Sequence, residues 1–348
     1  MRLPRGAGGA RAERGTDRAM PPPGAGSEPP HPERVPRYAS WATFARLPVE
    51  AASPAPGGGD TAIDVGVVGI PFDGGCTYRS GARFGPAAIR QASRLLRAYN
   101  AAQGVYAFRG RRVADMGDIV CTPFQNVSAV EQIRLGMREL LRTVRRPVVL
   151  GGDHTISYPV LRALHEHRGG GRGLALVHLD SHLDTWDSYF GEAFTHGTPF
   201  KRAFDEGVID PSTSMHVGVR GSVNGPEDAE MDAEMGFRTI GCDEVHRGGA
   251  AAAAARVRRR VGGSPCYLSI DVDVADPSVA PGTGTPESGG LSAAQLLSLV
   301  RGLRGLDWVG FDVVEVAPPY DTSEITSTLA ATLAYEMVCL TAAAPARL

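Results

Sequence analysis

Asp180-Ser181-His182-Leu183-Asp184, which closes the apolar run 174–179 (Leu-Ala-Leu-Val-His-Leu), decides how this chain is read. Along an extended strand alternate side chains point to the same side, so Asp180, His182 and Asp184 are expected to project together from a strand's C-terminal edge. The pattern recurs in Tyr267-Leu268-Ser269-Ile270-Asp271-Val272-Asp273, an apolar run that ends in two carboxylates two residues apart. A third run, 147–150, leads into Gly151-Gly152-Asp153-His154. Open α/β sheets gather ligands at the carboxyl ends of their strands. The three termini together read as a two-metal site.

Outward from these termini the pattern is regular. Short β-rich runs (64–70, 113–116, 147–150, 174–179, 215–219, 237–240, 266–270 and 308–313) alternate with helical ones, among them 86–99, 129–144, 156–167, 292–303 and 325–340. Ser292 is placed to cap the helix that follows it. Alternation of this kind predicts βαβ units and a mostly parallel sheet with helices on both faces. Eight strands can also close into a barrel, but the few ligand-bearing termini favour an open sheet. Residues 1–36, rich in Gly, Pro, Ala and Arg, cannot build a core and are expected to form a disordered tail. Their arginines would suit a transit peptide, but they lack an amphipathic pattern and include Glu13 and Asp17; a start at Met20 also fits. Residues 37–348 read as one domain.

Composition sets the remaining bounds. The 348 residues are 43% hydrophobic and 21% charged, with a formal net charge of −2, which gives no reason to expect nucleic acid or a membrane surface as partner. No apolar run is read as a membrane span. Five scattered cysteines (Cys76, Cys121, Cys242, Cys266 and Cys339) are expected to be reduced thiols in a cytoplasmic protein.

His154, Asp180, His182, Asp184, Asp271 and Asp273 make an oxygen-rich donor set without cysteine, which suits Mn²⁺ better than a structural zinc. Two divalent ions would bring about +4, which the aspartates and a shared hydroxide turn into a centre near −1. Such a centre tolerates a cation, and Glu315, which ends the run Asp312-Val313-Val314, could take a bidentate pair from a planar guanidinium. Of the other histidines, His165, His167 and His246 read as solvated, His178 and His216 as core.

Gly151-Gly152-Asp153-His154-Thr155, Asp180-x-His182-x-Asp184, His196-Gly197, Ser269-x-Asp271-x-Asp273-x-x-Asp276-Pro277 and Gly81-Ala82-Arg83-Phe84-Gly85-Pro86 resemble the signatures of the arginase/agmatinase ureohydrolases, in the agmatinase branch. The resemblance implies a three-layer α/β/α fold around an eight-stranded, mostly parallel sheet, two Mn²⁺ per subunit, a homotrimer or homohexamer, and hydrolysis of a guanidinium to an amine and urea. Carried over by motif, one Mn²⁺ would take His154, Asp180, Asp184 and Asp271, the other His182, Asp180, Asp271 and Asp273. Asp184 would orient the nucleophile, His196 would act as acid, base or proton shuttle, and Glu315 would hold the guanidinium. Ser181 stands where the family usually has Ala, and strand alternation points its hydroxyl away from the metals.

The loop 191–197 lacks the Asn of arginases, and Gly282 stands where arginases tend to carry Ala, so a true arginase is not expected. Within the branch, agmatine is expected first, because Asp187 and Glu192 on the loop after the metal strand would favour a distal ammonium. The alternative is a guanidino acid: 4-guanidinobutyrate, 3-guanidinopropionate or a proclavaminate-type substrate. Trp186 and Tyr189 would shorten the pocket, and the Tyr189 hydroxyl could hold a carboxylate. Rivals from other classes are a hydrolase of another bond, such as a deacetylase or phosphoesterase, and a non-catalytic binding protein.

Overall fold

The computed structural model describes residues 28–30, 35–51 and 62–342. The tail expected over 1–36 falls outside them except at 28–30, 35 and 36. Ten strands are present among the described residues: β1 (Val65–Ile70), β2 (Tyr99–Asn100), β3 (Val105–Tyr106), β4 (Val113–Asp118), β5 (Pro147–Gly151), β6 (Ala175–Leu179), β7 (Met215–Val217), β8 (Thr239–Ile240), β9 (Cys266–Asp271) and β10 (Trp308–Val314). Eight form one sheet in the order β4-β1-β5-β10-β9-β6-β7-β8, and every neighbouring pair is parallel. The sheet is open, with β4 and β8 as its edges.

Strand residues alternate between two cores, which makes the three layers. Val148 and Leu150 of β5 face one core and Val149 the other; Val177 and Leu179 of β6 face the first and Leu176 the second. Helices α1 (Gly85–Ser93), α7 (Ala250–Val261), α8 (Ala293–Gly302) and α9 (Ile325–Ala342) cover the first face. Helices α2 (Asn126–Leu140), α3 (Ser157–His167) and α4 (Pro199–Asp205) cover the second. Helices α5 (Glu227–Met235) and α6 (Cys242–Gly248) flank β8 in the chain. The Ser292 cap on α8 is present as a capping box with Gln295.

Two expectations need correction. The helix read over 86–99 stops at Ser93, and Tyr99–Asn100 pairs antiparallel with Val105–Tyr106 instead. The segment Thr322–Ala342, at mean hydropathy 1.3, does reach the length and composition of a membrane span. In the fold 72% of its most apolar 18-residue stretch is buried. Exposing residues such as Leu333 or Met337 would cost about 1.5–3 kcal/mol each. Midway along the helix, buried Glu336 accepts hydrogen bonds from Arg301 at 2.6 Å, Gln103 at 2.6 Å and Asn100 at 3.0 Å. A paired carboxylate of this kind belongs to a core helix.

Candidate metal centre

The four central strands β5, β10, β9 and β6 are consecutive in the sheet, and each ends at a residue of the site. Strand β5 runs into His154, β10 into Glu315, β9 into Asp271 and Asp273, and β6 into Asp180. Asp271 and Asp153 each cap the short 3-10 turn that follows, accepting from the backbone N–H groups of Asp273 at 2.8 Å and Thr155 at 3.0 Å.

The geometry after β6 is not strand alternation. The strand ends at Leu179, and Asp180 to Asp184 form an irregular turn whose last residue has φ 56°, a left-handed conformation unusual for a non-glycine. Glu315 shares this strain at φ 64°. Because the extended backbone has ended, the Ser181 hydroxyl does not point to the far face as expected. It lies 3.1 Å from His182 Nδ1, while the Ser181 N–H donates to Asp273 Oδ1 at 3.0 Å.

All six expected ligands converge. His154 Nδ1 lies 2.8 Å from Asp184 Oδ2, 3.1 Å from Asp180 Oδ2 and 3.6 Å from Asp271 Oδ2. His182 Nδ1 lies 3.1 Å from Asp273 Oδ2 and 3.3 Å from Asp180 Oδ1. Asp180 thus turns one oxygen to each half of the cluster. Asp271 turns Oδ2 to His154, and its Oδ1 accepts from the Asp273 N–H.

The electrostatics favour a cation. Burial and then the neighbouring charges of Asp273 and Asp180 hold the Asp271 carboxyl well above the usual range, and burial with the Asp180 charge pushes Asp273 up to about 6. His154 Nδ1 and Asp273 Oδ2 are buried with no hydrogen-bond partner. Orphaned ligand atoms, one in each half of a cluster of buried carboxylates with no sulfur in the set, fit a hard or borderline divalent ion.

Sequence reasoning missed what stands behind the ligands. His154 Nε2 meets Ser269 Oγ at 2.8 Å, and Ser269 donates its only hydroxyl proton to Asp312 Oδ1 at 2.6 Å. Ser269 therefore accepts from Nε2–H, which leaves Nδ1 as the lone-pair nitrogen facing the cluster. Ser157 and Tyr267 donate to the other Asp312 oxygen at 2.7 and 2.8 Å. His178 is core, as expected, but its Nε2 lies 2.8 Å from Asp180 Oδ2 and its Nδ1 2.7 Å from His216 Nδ1. His216 in turn reaches Asp232 of α5 at 3.2 Å. Burial pushes the His178 imidazolium down to about 3, so the ring is neutral. The signal for His178 was present: it lies two residues before Asp180.

His196 and Glu315 also come together. His196 Nδ1 lies 3.1 Å from Glu315 Oε1, and Nε2 lies 2.7 Å from Thr77 Oγ1. Burial opposes the imidazolium of His196, but the hydrogen bond to Glu315 and its charge prevail and raise its pKa to about 9. Glu315 Oε1 also accepts from the His154 N–H at 2.9 Å, while Oε2 is buried without a partner.

Above this floor opens a cleft of about 450 Å³, lined by Thr77, Tyr78, His182, Asp184, Trp186 and Tyr189 with His196 and the segment 219–228. Trp186 and Tyr189 do line it, stacked at 5.2 Å between centroids and 10° between planes. Asp187 and Glu192 do not. Asp187 pairs instead with Arg202, because the turn beyond Trp186 points it at α4. Arg220 and Asp228, which sequence reasoning did not single out, are the charged residues of the far wall.

Fold and site together define an open, parallel α/β sheet whose strand ends gather a buried His/Asp cluster able to hold a metal ion. The arginase family model matches residues 63–339. A guanidinopropionase of Pseudomonas aeruginosa is 44% identical, over 90% of this chain and 95% of its own. A guanidinobutyrase of the same organism is 43% identical, over 88% and 94%. The structure of proclavaminate amidinohydrolase from Streptomyces clavuligerus superposes with a TM-score of 0.81 at 40% identity, covering 88% of this chain and 99% of that one. The chain belongs to the arginase family. Within it the chain is a guanidino-compound hydrolase, as the sequence motifs implied.

Proposed function

We propose that the centre holds two Mn²⁺ and that the chain hydrolyses a short guanidino acid to urea and the corresponding amino acid. One ion would take His154, Asp180, Asp184 and Asp271, the other His182, Asp180, Asp271 and Asp273. Two such ions, when bound, supply a hydroxide nucleophile at neutral pH by acidifying water. The observation that carries the reading is Glu315, fully buried beside this cluster with Oε2 unpaired, a ready acceptor for guanidinium N–H groups. His196, charged at neutral pH, is placed against Glu315 to hand a proton to the departing amine. Asp184 orients the nucleophile.

A carboxylate at the far end of the substrate is supported by the rim. The acids expected to attract an ammonium lie outside the cleft, while Tyr189, Ser222, Asn224 and Arg220 line it. The Arg220 donors go to backbone carbonyls, among them Asp273 at 2.6 Å and Glu287 at 2.7 Å. No carboxylate pairs with it among the described residues, so its charge acts on the cleft. The relatives named for guanidinopropionate and guanidinobutyrate point the same way. Agmatine is the second reading, carried by Asp228 in the wall. Urea release from 3-guanidinopropionate, 4-guanidinobutyrate, agmatine and arginine decides between them. A guanidino acid is expected to lead in kcat/KM by about tenfold or more, and an equal or larger value for agmatine would reverse the assignment.

A further inference from the structure

Beside the main cluster a second set of donors converges with different chemistry. Cys76, on the loop between β1 and α1, lies with His196 and Glu315 so that one donor atom of each falls within 4.8 Å of the others. The Cys76 sulfur makes no hydrogen bond among the described residues, and Glu315 Oε2 is buried without a partner. We propose that Cys76, His196 and Glu315 form a separate inhibitory site, which takes a thiophilic divalent cation of the zinc class in the seat of the guanidinium. The inhibition, though not the binding, rests on the function proposed above.

The geometry suits such an ion. Tetrahedral zinc, with bonds of about 2.0–2.3 Å, sets its ligand atoms roughly 3.3–3.6 Å apart. The His196 Nδ1 to Glu315 Oε1 edge is already 3.1 Å, and the Cys76 sulfur completes the triangle within 4.8 Å. Three protein ligands leave one position open to water, the arrangement of an accessible rather than a structural site. The main cluster contains no sulfur, so the thiolate is the ligand that sets this second site apart for a thiophilic ion. Burial and then the charges of Glu315, Asp153, Asp73 and Asp271 hold the Cys76 thiol protonated. Binding therefore forms the metal–sulfur bond as the S–H proton leaves to solvent, the His196 imidazolium gives up a proton to solvent in the same way to free its ligating nitrogen, and the same negative field attracts the incoming dication. Once there, the ion occupies the His196 and Glu315 atoms that the substrate needs.

The test titrates manganese-loaded full-length protein with Co²⁺ and follows the sulfur-to-cobalt charge-transfer absorption, in the wild type, Cys76→Ser and Cys121→Ser. Zinc inhibition of urea release is measured in parallel. The wild type and Cys121→Ser should show the band at one cobalt per chain, and Cys76→Ser should not. Zinc should inhibit the wild type competitively with the guanidino substrate. In Cys76→Ser the inhibition should weaken by about tenfold or more, with zinc-free activity unchanged. Absence of the band in the wild type overturns the site, and so does equal zinc inhibition of Cys76→Ser, which would locate the effect at the main cluster. If no guanidino compound is hydrolysed, the proposed function fails while the cobalt band still decides the site.

Discussion

The Ser269 hydroxyl lies 2.8 Å from His154 Nε2 and donates its own hydrogen bond to Asp312, so one buried serine sets which nitrogen of His154 faces the aspartate cluster. Ser269→Ala should leave the fold intact, since the change is small and Asp312 keeps Ser157 and Tyr267 as donors. It should weaken metal retention by about 10–100-fold, because the ring loses the partner that orders it. Metal content after dialysis against graded chelator reads this, and unchanged retention would show that packing alone orients the ring.

Asp180 presents Oδ2 to His154 at 3.1 Å and Oδ1 to His182 at 3.3 Å. Asp180→Asn is therefore expected to lose both ions together, and Asp273→Asn mainly the one on His182. Elemental analysis separates the two variants. Removing metal from the wild type should lower Tm, since ions that bind only the folded state stabilise it by mass action and neutralise the gathered aspartates. A Tm indifferent to chelation would argue against an occupied centre.

His196 contributes one separable part of the pH dependence of the metal-free protein. Its pKa is raised from 6.5 to about 9 in the fold, chiefly by Glu315 against the cost of burial. The stabilisation is thus fully present below about pH 6.5 and is lost as pH rises through about 9. Urea unfolding of chelated wild type and His196→Asn at about pH 6 and about pH 10 should show the gap between them narrow at the higher pH, by up to about 3 kcal/mol. A gap that widened instead would mean that the histidine is neutral in the fold.

Tyr189 stacks on Trp186 at 5.2 Å, and the two rings together form an aromatic wall on the rim of the cleft. Tyr189→Ala should shift the kcat/KM ratio towards longer guanidino substrates by about 10–200-fold, the range that one or two methylenes command in a pocket. A fall in all substrates without a change in their ratio would make Tyr189 a support of the loop and not a selectivity element.

The sequence alone determined the donor set, the strand–helix alternation and the family. Ligand chemistry depends on residue type, and βα periodicity is written into the local order of apolar and polar residues. His154, Asp180, His182, Asp184, Asp271 and Asp273 could be named before any fold was known, and so could Glu315 and His196. Only the tertiary structure decided that β5, β10, β9 and β6 lie side by side, because strand neighbours in a parallel sheet are chosen by long-range packing and not by spacing along the chain. It also decided where side chains point once regular backbone ends. Ser181 turned towards His182 when the strand stopped at Leu179, and Asp187 left the cleft for Arg202 on α4. Alternation predicts direction only while φ and ψ stay extended, and an exposed acid goes to the nearest cation that the fold supplies.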